Sequence, residues 1–72
     1  MKIKYDSLGD VLYIELKDCT VTTQRISEDV AIDYDTDGNV AGIEILSASA
    51  LAFNDNGKLR IDFENVLAKS VS

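Results

Sequence analysis

Asp33, Asp35, Asp37 and Glu44 are spaced like the ligands of a calcium loop. The stretch Asp33-Tyr34-Asp35-Thr36-Asp37-Gly38-Asn39-Val40-Ala41-Gly42-Ile43-Glu44 meets every defined position of the pattern D-x-[DN]-x-[DN]-G-x5-E. Such a loop wraps carboxylate and carbonyl oxygens around a hard cation, and it needs a helix on each side. The same residues also read as a β-hairpin that turns at Asp37-Gly38 or at Gly38-Asn39.

The flanks decide between these readings. Upstream, Val21 to Ile32 is rich in β-branched residues, which lose side-chain freedom in a helix and fit a pleated strand. Val30, Ile32 and Tyr34 alternate with polar Asp33 and Asp35, and Ala41, Ile43 and Ile45 alternate with Gly42 and Glu44. That is the strand period of two. With a two-residue turn at Asp37-Gly38, Tyr34 faces Ala41, Ile32 faces Ile43 and Val30 faces Ile45. A one-residue slip would turn one strand's apolar residues to the wrong face. A turn at Gly38-Asn39 keeps the same faces, so the spacing does not choose between the two. The hairpin is the expectation. It sends Glu44 roughly 20 Å along a strand, at ~3.3 Å per residue, away from the acidic tip. No metal site is expected beyond a weak alternative at the turn, using Asp35, Asp37 and a backbone carbonyl.

Other reactive groups have plainer readings. The chain has no histidine, which removes the commonest general base and the Ser-His arrangements. Asp6 and Asp10 flank one turn and can be read as a carboxylate pair, but turn capping through side-chain to backbone bonds is preferred. Cys19 sits beside Asp18, which works against an activated thiol. Gly42 within a strand marks a bulge, a close backbone approach or simple tolerance of a missing side chain. No nucleophile, base and orienting group come together, so no enzyme, no catalytic residue and no cofactor is expected.

Those residues rest on a short chain. Seventy-two residues bound one domain, 1–72, with a marginal lone core. One cysteine excludes an internal disulfide, and one thiol without histidine makes a zinc site within one chain implausible. Association is the remaining source of stability. Thirteen acidic against seven basic residues give a net charge of −6, which repels nucleic acid and anionic membrane surfaces and suits a basic protein partner. No apolar run is long enough to span a membrane, and the start lacks the apolar core of a signal peptide. The expected compartment is the cytoplasm.

The positioning elements follow from alternation. Lys2–Tyr5 is a short strand and Asp6–Asp10 a turn. Val11–Leu16 is the strongest strand, with Leu12, Ile14 and Leu16 on one face and Val11, Tyr13 and Glu15 on the other. Lys17–Thr20 turns, and Val21–Ile26 is a polar, β-branched strand suited to an edge. With the hairpin this predicts a five-strand antiparallel meander over residues 2–46. After Leu46, Ser47 can cap a short helix over Ala48–Phe53, with Gly57 ending the excursion. The competing reading is a second hairpin through Leu51, Phe53, Leu59, Ile61 and Phe63, and a strand or tail closes the chain. The fold class is β-rich α+β.

Met1-Lys2-Ile3-Lys4-Tyr5-Asp6, Asp10-Val11-Leu12-Tyr13-Ile14-Glu15-Leu16, Asp33 to Leu46 and Ala48-Ser49 together resemble a family of small bacterial proteins catalogued as domain of unknown function 2283. The resemblance covers residues 1–49. It implies a compact β-rich fold and carries no catalytic residues with it. It also implies kinship with small antitoxin-like partners of toxin-like proteins.

The expected function is a non-enzymatic protein-interaction module that self-associates as a homodimer or higher homo-oligomer and suits a basic toxin-like partner. Val11 and Tyr13 give the second strand an apolar second face that either the C-terminal segment of the same chain or another subunit can cover; they are the expected interface, with the polar third strand left wet. The alternative is a small-ligand or cation-binding domain using the acidic turn Asp35–Asn39.

Overall fold

The structure is a computed structural model that describes residues 1–51 and 56–64. Five antiparallel strands form one sheet: β1 (Lys2–Asp6), β2 (Val11–Glu15), β3 (Thr22–Arg25), β4 (Val30–Tyr34) and β5 (Val40–Ile45). A short helix, α1 (Ala48–Leu51), follows them. The β-rich α+β class and the strand positions read from alternation therefore hold.

The strand order corrects the meander. It is β1-β2-β5-β4-β3, so β2 pairs with β5 and not with β3. Strands β2 to β5 have Greek-key connectivity, with the long connection between β2 and β3. That connection crosses three strand spacings, about 14 Å, which six extended residues reach easily. Side chains explain the choice. Beside β5, Ile14 meets Ile43 and Leu12 meets Ile45. Beside β3 they would have met threonine and glutamine. The three apolar strands take the middle, and the polar strand takes the edge.

This arrangement lines up apolar rows on one face. One row runs Ile3, Ile14, Ile43, Ile32, and the next runs Tyr5, Leu12, Ile45, Val30. Leu12 is buried, while the isoleucines of β2, β4 and β5 stay half-buried. The other face carries Tyr13, Glu15, Gly42, Glu44, Ala31, Asp33 and Thr23.

The β4–β5 hairpin keeps the expected pairs Val30–Ile45 and Ile32–Ile43. It corrects the pair at the tip: Tyr34 lies opposite Val40, not Ala41. The loop holds three residues, Thr36, Asp37 and Gly38, closed by a bond from the Asp35 N–H to the Asn39 carbonyl. Gly38 has φ 85°, the left-handed conformation that such loops require. An odd loop would put the strands out of phase by one residue. A register shift beside Asp33 and Tyr34 leaves Ala41 as the extra residue and restores the phase. The Ala41 carbonyl then accepts from the N–H groups of Leu16 and Lys17, which ties the bulge to the end of β2.

Helix α1 begins as the composition suggests, but its cap is not Ser47. Ser47 has φ 53°, outside the usual cap conformation. The capping carboxylate is Asp10, which accepts from the Ser49 N–H at 3.0 Å and the Ser49 hydroxyl at 2.7 Å. Gly57 has φ 70° in a turn. Residues 58–64 hold an isolated bridge at Leu59 and no strand, and Ile61 and Phe63 are exposed. The expected continuation of the helix to Phe53 and the tail beyond Glu64 lie outside the described residues.

Candidate functional site

The polar face of the sheet is organised around Asp33. Its position in β4 places it between β5 and β3, and it is only 5% exposed. The Tyr13 hydroxyl donates to Oδ2 at 2.8 Å, and the Thr23 hydroxyl donates to Oδ1. Tyr13 belongs to β2, two strands away, so its side chain must cross β5. It crosses at Gly42. A Cβ built on Gly42 would overlap the Tyr13 hydroxyl and come within 2.7 Å of Cζ. The bare backbone of Gly42 is therefore the groove that lets the ring lie flat across the sheet.

The charges around the ring are mixed. Lys4 Nζ lies 5.5 Å from the Tyr13 ring centroid and 3.6 Å from Glu15 Oε2. Glu44, half-buried, pairs with Tyr13 on one side and Ala31 on the other. The hydrogen bond to Asp33, then burial, then the nearby charges of Asp33, Glu15 and Glu44 push the Tyr13 hydroxyl up to about 12. It therefore stays protonated and donates throughout the neutral range. Burial, aided by the Asp33 charge, raises Glu44 above the usual carboxylate range.

Three further carboxylates act as anchors. Asp10, itself at φ 55°, accepts from the Tyr5 hydroxyl at 2.7 Å and from Ser49. The Ser49 and Tyr5 hydrogen bonds hold its carboxyl below the usual range. Asp6 serves its own turn, accepting from the Leu8 and Gly9 N–H groups. Asp6 and Asp10 thus have separate partners, and only Asp6 follows the turn-capping expectation. Asp35, also buried, accepts the Asp37 and Asn39 N–H groups at 2.9 Å on Oδ1 and Lys17 Nζ on Oδ2. Lys17, then the Asn39 and Asp37 amides, lower its pKa.

The structure separates the residues singled out from the sequence. Val11 and Tyr13 share the polar face, both half-buried, and the Tyr13 hydroxyl is engaged within the chain. Asp35 and Asp37 sit at the hairpin end, whereas Glu44 lies inside the sheet. A cation at Asp35 would have to displace Lys17. Among the described residues no group of three or more His, Cys, Asp or Glu is arranged to hold a metal ion. Cys19 is an exposed free thiol in the β2–β3 connection. Sequence reasoning singled out Asp33 only as a calcium-loop position and missed its bonds to Tyr13 and Thr23. The one available signal was a strand glycine two residues before Glu44, beside a strand with an inward tyrosine.

Every buried side-chain nitrogen and oxygen among the described residues has a hydrogen-bond partner. The arrangement is chemically a set of carboxylates held by this chain's own donors, which locks strands together. Fold and site thus define a small Greek-key β-sheet domain braced by internal carboxylate hubs. The family model described as "Protein of unknown function (DUF2283)" matches residues 2–49, and the chain belongs to that family. Neither curated proteins nor solved structures include a match to it. No helix among the described residues is long and apolar enough to cross a membrane.

Proposed function

We propose that this protein is a non-enzymatic interaction module that works as a homo-oligomer. One observation carries the reading: among the described residues no large side chain is fully buried. The isoleucines on the apolar face of β2, β5 and β4 are half-buried, and the described part of α1 spans four residues. An apolar sheet face gains stability from a second layer, and a small domain gains it from association of any kind. Full burial of an isoleucine contributes ~1.5–3 kcal/mol, and partial burial gives correspondingly less. A second copy adds contacts to this small sheet without disulfide or metal.

The engagement of Asp10, Asp33 and Asp35 by internal donors favours this reading over cation binding or catalysis. The net charge of −6 additionally suits a basic partner protein on the assembled surface. Light scattering from micromolar to millimolar protein tests the proposal. At least twice the mass of one chain is expected at the upper end. A monomer throughout that range would refute it.

A further inference from the structure

We infer that β3 is the surface through which two copies associate, pairing antiparallel across a two-fold axis near Thr23 and Gln24. The inference rests on the self-association reading and assigns it the β3 edge in place of the Val11 and Tyr13 face expected from the sequence. All four residues of β3 are exposed, and β3 ends the strand order. The Ile26 N–H donates to the Val30 carbonyl. By antiparallel alternation, Gln24 and Thr22 also bond to β4, while Thr23 and Arg25 turn their N–H and C=O groups outward. No described strand receives those outward groups.

Edge strands normally carry protection, and β3 carries little of it. The chain has no proline. The β3–β4 register runs from Thr22 to Arg25 without a bulge. The one charged side chain, Arg25, is folded back onto the Ser27 and Glu28 carbonyls at 3.2 and 2.7 Å. By contrast the other edge strand, β1, carries Lys2, Lys4 and Asp6. The short length of β3 is its main safeguard, and exposed apolar residues offset it at both ends: Val21 is 37% and Ile26 52% exposed.

A second copy fits this edge better than a foreign strand does. In a chain of net charge −6, β3 bears no acidic residue, so two copies meet here with little repulsion. An axis perpendicular to the sheet keeps both apolar faces on one side. It places Thr23 opposite Thr23 or Gln24 opposite Gln24, and either register uses the outward groups of Thr23 and Arg25. Cross-strand threonine and polar pairs of this kind are favourable. The joined sheet has ten strands, twice the five of one copy, and buries Val21 and Ile26 at the seam.

Amide exchange on the wild-type protein tests this directly. The Thr23 and Arg25 amides should be protected at millimolar protein and lose protection on dilution, while the Gln24 amide stays protected at both. The double variant Thr22→Lys/Gln24→Lys places like charges opposite each other in either register. It should abolish the concentration-dependent mass, whereas Val11→Lys on the other strand face should not. An oligomer with freely exchanging Thr23 and Arg25 amides would overturn the edge assignment alone. So would an oligomer that Val11→Lys dissociates and the lysine pair does not. A monomer at every concentration would overturn both this inference and the self-association reading. If the lysine variant fails to fold, the exchange comparison on the wild type still decides.

Discussion

The hydroxyl of Tyr13 on β2 reaches the carboxylate of Asp33 on β4 at 2.8 Å, passing over Gly42 of the strand between them. One side chain thus ties three strands together, and a fourth joins through Thr23. The bond is half-buried, so its partners are costly to leave unmatched.

Tyr13→Phe should destabilise the fold by ~1–3 kcal/mol, the penalty for depriving a buried acceptor of a donor. Gly42→Ala should also destabilise, because its methyl group occupies the path of the ring. The two losses should not add. Once Gly42→Ala has displaced the ring, removing the hydroxyl costs little more. Urea melts of both single variants and the double variant measure the coupling. Additive losses would mean that the ring does not depend on Gly42.

Tyr13 should ionise well above the ordinary tyrosine value. Its folded pKa of about 12 exceeds the ordinary value of 10.0. The protonated form is the one favoured by folding, so its contribution is fully present below about pH 10 and is lost as pH rises toward about 12. Ultraviolet titration of the wild type and Tyr13→Phe isolates the step. A tyrosinate forming near pH 10 in that difference would contradict the Asp33 contact.

Glu44→Gln should stabilise the protein at neutral pH. Burial and the Asp33 charge raise the Glu44 pKa in the folded state. Folding therefore favours its protonated form, and the ionised form is a net cost above the raised value. The gain from glutamine should appear at pH 7 and fade as pH falls below the ordinary carboxylate range. Urea midpoints across the acid range check the sign. A loss of stability at neutral pH would mean that a cation of this chain supports Glu44.

Ile43→Ala should cost about 2 kcal/mol or more, at the lower end of the range for large-to-small core changes because Ile43 is half-buried. Ile43 sits between Ile14 and Ile32 in the middle of the sheet. Leu8→Ala is the control, since Leu8 is 98% exposed. Equal urea midpoints for the two variants would show that the apolar row does not hold the sheet.

Asp10→Ala should lower stability, whereas Asp10→Asn should retain part of it. Asparagine keeps an acceptor for Ser49 and tolerates the left-handed backbone at this position. The advantage of the native carboxylate should vanish in acid, since a lowered pKa stabilises the fold only while the group is ionised. Chemical melts of the two variants at neutral and acid pH separate acceptor from charge.

Alternation along the chain settled what is local. It determined the five strands, the faces of Ile32, Ile43 and Ile45, and the choice of hairpin over calcium loop, because a side chain's face follows from its immediate neighbours. The polar composition of β3 suited an edge, although the meander expected from the short links would have placed that strand in the middle. The strings that carry the family resemblance include Asp10, Tyr13, Asp33 and Gly42, yet they do not reveal what these residues touch. Tertiary structure decided the rest. Alternation names a face but not the adjacent strand, so β2 chose β5 over its chain neighbour by matching isoleucines. The buried state of Asp33 depends on Tyr13, twenty residues away, and the helix cap depends on Asp10, thirty-nine residues before Ser49. The three-residue loop and the Ala41 bulge are two irregularities that cancel. The net register was therefore legible in the sequence, while the turn that produces it was set by backbone conformation at Gly38 and by the hold of β2 on the Ala41 carbonyl.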